Sequence, residues 1–300
     1  MEALALIVLC VAAGMVTARV SHPEGLAPSL NWWVVYIALP ALVLGQIVRL
    51  EPSFDLVMPA LGMWLVFFGA WGFIAVVGAV LGWSRQLIGC LVLTAGLGNT
   101  AFVGYPLIEA LMGKEGLAIA VVTDQFGSFF MLAVMGAVIT ALYSGQQLKW
   151  RDVGHKLITF PAFIALLVAI VLGRLGEMPP LFFFITDNLG STLTPLALFS
   201  VGLQLKMRSV GGDAVPLLAG LSWKIIMAPL LVWGLMVWAG TDVKIKEVVV
   251  LQAAMAPMVT GGILAQQYGF QPLLANRMVG FGLIVSLITV PLWQQVLLLF

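Results

Sequence analysis

Charge is scarce in this chain. Of 300 residues only 9% are Asp, Glu, Lys or Arg, while 62% are hydrophobic. A soluble domain carries about 25% charged residues and about 45–50% apolar ones. A water-soluble fold of this size cannot hide the excess apolar surface, so that surface must face lipid. The net charge of +1 gives no electrostatic basis for a nucleic-acid partner. Cysteine is nearly absent too. Cys10 and Cys90 both lie in apolar runs, which excludes a disulfide framework and a CxxC metal site and suggests buried thiols. The two histidines, His22 and His155, sit beside predicted loops. Intramembrane serine hydrolysis wants a serine with a buried histidine base, and prenyl transfer wants paired aspartates, of which no DDxxD occurs. An enzyme is therefore not expected, nor a cofactor or metal. The segment Met1-Glu2-Ala3-Leu4 lacks a basic n-region and reads as the start of the first membrane helix.

What the chain has is apolar runs. A helix crosses a bilayer with about 20 apolar residues, which leaves room for about ten crossings and short loops. Hydropathy and breaker residues predict helices at 2–20, 31–50, 56–82, 86–112, 115–143, 153–174, 180–205, 213–240, 246–269 and 272–299. The fold class is thus all-α and polytopic. The longest polar stretch, 144–152, divides the chain into a first five-helix unit, 1–143, and a second, 153–300. An odd number of crossings inverts the second unit relative to the first, a common transporter plan. Pro40 to Gln46 and Pro195 to Gln204 each run from proline through an apolar stretch to glycine and glutamine, a loose internal match.

Orientation follows the basic residues. With the N-terminus outside, the cytoplasmic side holds Arg19, Arg85, Lys149, Arg151, Lys156, Lys206, Arg208 and Arg277. The outer side holds Arg49, Lys114, Arg174, Lys244 and Lys246. Both termini are expected outside.

The fourth and ninth spans carry breakers near their middles. The fourth reads Thr94-Ala95-Gly96-Leu97-Gly98-Asn99-Thr100-Ala101-Phe102-Val103-Gly104-Tyr105-Pro106. The ninth reads Gln252-Ala253-Ala254-Met255-Ala256-Pro257-Met258-Val259-Thr260-Gly261-Gly262. Proline removes a donor and clashes with the preceding turn. Non-helical backbone at membrane depth survives only where protein or a water-filled cavity satisfies it. If both spans unwind, the second half-helix of each starts near Pro106 or Pro257 with free N–H groups, about half a positive charge at each end. In opposite orientations the two ends converge on one point and bind an anion without a buried lysine or arginine. Asn99, Thr100 and Thr260 add neutral hydrogen bonds. The competing reading is a pair of ordinary kinks.

Ionisable groups at membrane depth cost about 2.5–3.5 kcal/mol on insertion scales. Asp124, with Gln125, sits about 13–14 Å into the fifth span by helix rise. It carries a proton, holds a cation or polarises the broken segment, or else serves as a structural hydrogen-bond partner of a neighbouring helix. Glu109 is expected at the outer mouth, and Asp187 at a solvated helix end. Lys224 is expected to snorkel to the cytoplasmic face. Arg277 is expected near the cytoplasm, snorkelling, or binding a lipid phosphate or an exiting anion.

Four stretches, Leu39 to Gln46, Asn99 to Pro106, Pro195 to Leu205 and Leu251 to Gly269, resemble the auxin efflux carrier family, whose bacterial members include malate- and malonate-type permeases. The resemblance covers the whole chain. It implies a ten-helix inverted repeat similar to the fold of bile-acid sodium symporters, with broken helices 4 and 9 crossing at the substrate site. It also implies an elevator-like step in which helices 3–5 and 8–10 slide on helices 1, 2, 6 and 7. The expected activity is secondary transport of a small organic anion by a protein of a bacterial inner membrane, in contact with lipid and compatible with a homodimer. Substrate-binding residues are expected at Asn99, Thr100, Gly104, Tyr105, Pro106, Pro257, Thr260 and Gly261. Coupling to H+ or Na+ is expected through Asp124, Gln125 or Gln252. A sodium-coupled symporter of the bile-acid type and a non-transporting membrane sensor with the same fold remain the alternatives.

Overall fold

A computed structural model describes residues 2–51, 53–205 and 213–299. Lys206 and Arg208, counted above with the basic side, lie outside the described residues. Everything described is helical apart from short connections and one isolated β-bridge.

The helices are α1 (Glu2–Thr17), α2 (Leu26–Val48), α3 (Val57–Leu81), α4 (Arg85–Gly96) and α5 (Gly104–Ser144). They continue as α6 (Trp150–Thr159), α7 (Pro161–Leu175), α8 (Pro180–Gln204), α9 (Ala214–Trp238), α10 (Val243–Ala253), α11 (Val259–Gln267) and α12 (Pro272–Leu297). Six of them, α2, α3, α5, α8, α9 and α12, are long and apolar enough to cross a membrane. The α6–α7 pair, bent by 62°, makes a seventh if counted as one span. The protein is a polytopic integral membrane protein.

Local chemistry explains several boundaries. Ser84 caps α4 by accepting from the Leu87 N–H, and Asp242 caps α10 by accepting from Lys244 and Ile245. The bend between α6 and α7 falls at Phe160, which is extended (φ −73, ψ 120) because Pro161 follows it. The sequence reading began this span at 153; the structure instead makes Trp150–Thr159 a separate helix, most of it outside the apolar core. The gap expected between the fourth and fifth spans is a kink inside α5, where Gly113 takes a left-handed φ of 72. Three π-helical turns interrupt the long helices, at Val34–Ala38 in α2, Thr123–Phe129 in α5 and Trp223–Met227 in α9.

Packing divides the helices into two groups. α1 lies against the second half of α8, and α2 is clasped by α7 and α8. The other group joins α3, α4 and α5 with α9, α10, α11 and α12. The core of this second group is the most buried part of the molecule: every residue from Leu91 to Thr100, and from Val248 to Met258, is buried.

Candidate functional site

The broken segments meet in the middle of the second group. Gly98 and Pro257 form an antiparallel bridge. The Asn99 N–H donates to the Ala256 carbonyl at 2.7 Å, and the Met258 N–H donates to the Leu97 carbonyl at 3.0 Å. These two bonds flank the bridged pair, which therefore needs no N–H of its own. That is why proline is tolerated at 257. The exposed backbone of one break is thus satisfied by the other.

Each break leaves a new helix start. α5 begins at Gly104 and α11 at Val259, each near the expected proline. Pro106 falls within the first turn, where a missing N–H removes no intrahelical bond. At the start of α5 the Gly104, Tyr105 and Leu107 N–H groups donate to the Asn99, Ala101 and Val103 carbonyls, and Pro106 has no N–H; both helix ends carry partial positive charge.

A cavity of about 800 Å³ runs from the crossing to the 144–160 segment. Asn99, Ala101, Phe102, Met258, Val259 and Thr260 form its floor. Asn31, Val35, Tyr36 and Leu39 of α2 form one wall, and α5 forms another from Asp124 to Ala141. Lys149, Asp152 and Lys156 stand at its mouth, with Gln146 and Gln147. Toward the other ends of α2 and α5, a cavity of about 430 Å³ is lined by Gln46, Arg49, Glu51, Lys114 and Glu115, among others. The two helix groups touch through polar contacts: Thr194 donates to Glu109 at 3.4 Å, and Lys114, at the second cavity, pairs with Asp187 at 3.8 Å. Within the first group Asp187 also pairs with Arg49 at 2.8 Å.

The residues singled out from sequence divide into lining and supporting positions. Asn99, Thr260 and Asp124 line the cavity. Asp124, only 3% exposed, sits on the π turn of α5. Its carboxylate accepts from the Thr100 hydroxyl, from the Tyr105 hydroxyl at 3.0 Å and from the Gln125 amide at 2.8 Å. Thr100, Tyr105 and Gln125 thus lie behind the floor and hold Asp124. Gln252 donates to the Thr100 carbonyl at 3.2 Å, lacing the two breaks from the other side. At Gly104 a Cβ would stand 2.4 Å from the Gln252 Oε1, so a larger residue there requires the Gln252 side chain to shift. Gly261 lets α11 approach α4, since a Cβ would come within 2.7 Å of the Leu93 carbonyl. Pro106 is buried beneath the floor, and Pro257 packs against Gly282.

Two sequence expectations are corrected. Lys224 does not snorkel: its side chain is fully buried on the π turn of α9, with Nζ 2.9 Å from where a Cβ of Gly98 would stand. The extra residue of a π turn re-aims a side chain in a way that no helical wheel shows. Arg277 does not reach lipid either. It is 9% exposed and ion-paired with Asp213. Asn31, Tyr36 and the Lys149–Lys156 mouth were not singled out from sequence as cavity residues, since only the fold brings α2 and the 144–160 segment over the crossing.

No group of three or more metal-binding side chains occurs among the described residues. A profile described as membrane transport protein matches residues 1–294. The chain is 27% identical over 291 residues to an uncharacterised transporter of Methanothermobacter thermautotrophicus, covering 90% of this chain and 89% of that one. It is 25% identical over 283 residues to an uncharacterised transporter of Methanocaldococcus jannaschii, covering 91% and 90%. With crossed, broken helices at the floor of a deep cavity and a match over almost its whole length, the chain belongs to the membrane transport proteins of the auxin efflux carrier family.

Proposed function

We propose that this transporter is a secondary carrier of a small organic anion, and that the anion binds at the crossing. One observation carries the reading: the N-terminal end of α11, at Val259 and Thr260, lines the floor of the 800 Å³ cavity beside Asn99, Ala101 and Phe102 of the other break. Main-chain N–H groups and helix ends favour a carboxylate without a fixed counter-charge. Asn99 and Thr260 add neutral hydrogen bonds from the two breaks. Lys149 and Lys156 at the mouth raise the local concentration of anions. Asp124, the one carboxylate deep in the cavity wall, is the proposed proton-coupling group.

The proposed cycle is elevator-like. Taking Gly113 as a turn between crossings, and α6–α7 as one, the chain reads as ten crossings in two inverted sets of five. The group holding the crossing slides along α1, α2, α7 and α8. In the state described the site opens toward the 144–160 segment, which the basic-residue bias assigns to the cytoplasm. The Glu109–Thr194 and Lys114–Asp187 contacts then close the outer side.

Uptake of radiolabelled mono- and dicarboxylates into proteoliposomes, with and without a pH or sodium gradient, tests the proposal. Saturable uptake that Asn99→Ala abolishes in a normally inserted protein is expected. Uptake unaffected by Asn99→Ala places the site elsewhere. A purified protein that moves no carboxylate but does move cationic solutes overturns the anion reading.

A further inference from the structure

Lys224 is the buried cation that the anion site does not use. Its Nζ is enclosed and has no hydrogen-bond partner among the described residues. None of the ion pairs among those residues includes it. Nor does it line either cavity.

Its position is nevertheless specific. The nearest atom to the missing Cβ of Gly98 is the Lys224 Nζ, at 2.9 Å; the Gln252 carbonyl oxygen lies 3.5 Å from the same point. Gly98 follows the C-terminal end of α4 by two residues, and Gln252 lies in the last turn of α10. These are the negative ends of the two half-helices that run into the crossing. On α10 the Val250, Leu251 and Gln252 carbonyls accept from the Ala254 and Met255 N–H groups of the cap, and each end carries about half a negative charge. In transporters with broken helices, such carbonyl ends are where a coupling cation is held.

We infer that Lys224 is a tethered counter-cation for the negative ends of α4 and α10, and that its ammonium takes the place of a bound alkali-metal ion at the crossing. The helix ends polarise the site in opposite senses, positive toward the cavity floor and negative toward Lys224. Gly98 leaves the space that the ammonium occupies beside the two helix ends, since any side chain at 98 would begin 2.9 Å from Nζ. A positive charge carried by the chain itself needs no ion from solution. The consequence is a crossing whose integrity is indifferent to sodium.

The inference stands on the crossing and not on the identity of the substrate, so melting of the purified protein without any solute tests it. Two measurements are made by tryptophan fluorescence in detergent. The first compares the wild-type Tm in sodium, potassium and N-methyl-d-glucamine chloride at equal ionic strength; the same Tm in all three is expected. The second compares wild type with Lys224→Met, which keeps the volume and removes the charge. A fall of roughly 5–10 °C is expected, as for the loss of a buried charged partner. A wild-type Tm that rises saturably with sodium overturns the proposal. Such a rise would point to an ion held by Gln125 and Gln252, whose side-chain oxygens are also unpartnered. A Lys224→Met protein that melts at or above wild type overturns it as well, because the lysine would then be packing only. Should Lys224→Met fail to insert, the wild-type cation series decides.

Discussion

Gly98 and Pro257, far apart in sequence, face each other as a bridged pair in which neither contributes an N–H. Their neighbours do the bonding. Pro257→Ala should therefore leave the Tm within a few degrees of wild type. Met258→Pro removes the donor to the Leu97 carbonyl and strands a buried acceptor, at a cost of about 1–3 kcal/mol. Thermal melts of the two variants should differ in that order. Equal losses would mean that the bridge does not hold the breaks together.

Asp124 gathers two hydroxyl donors and an amide. Asparagine at 124 has one acceptor oxygen and turns a donor toward the hydroxyls. Asp124→Asn should lower uptake more than Tyr105→Phe, which removes only one donor. Initial rates in proteoliposomes check the ranking, and the pH dependence of uptake should flatten in Asp124→Asn. An unchanged pH profile returns Asp124 to a structural role.

Gly261 lies against backbone, not against a movable side chain. A methyl group 2.7 Å from the Leu93 carbonyl forces α11 away from α4. Gly261→Ala should cost about 1–3 kcal/mol, the range for overpacking, and should lower the Tm accordingly. Gly72→Ala, in open space on α3, is the control and should melt like wild type.

Cys10 and Cys90 are buried, so the native protein should resist membrane-impermeant maleimide. Asn99→Cys and Thr260→Cys place a thiol on the cavity floor. Both should label from the face that carries the 144–160 segment. Comparing inside-out with right-side-out vesicles measures this, and labelling from the opposite face alone would invert the assignment of the open side.

The breaks were legible because glycine, asparagine and proline interrupt runs that are otherwise apolar enough to span. The exact starts of the new half-helices were not. Proline marks a break without fixing its edge: Pro106 fits inside a first turn, and Pro257 fits a bridge. Asp124 stood out as a charge at membrane depth, but its partners, Thr100 and Tyr105, come from a different helical segment that only folding brings near. Snorkelling of Lys224 presupposes a regular helix, and α9 is π-helical at that turn. The expected break between 112 and 115 stays helical on both sides because one glycine, Gly113, absorbs the bend.

Two main-chain bonds fasten 97–99 to 256–258. The ribosome makes the first of these segments about half a chain before the second. Until then the Asn99 N–H and the Leu97 carbonyl lack their native partners, a costly state at membrane depth. The early half is thus inserted unfinished and is completed from the late half. A fragment ending at the 144–152 connection should therefore be a poor membrane resident on its own, and a good one when its other half is supplied.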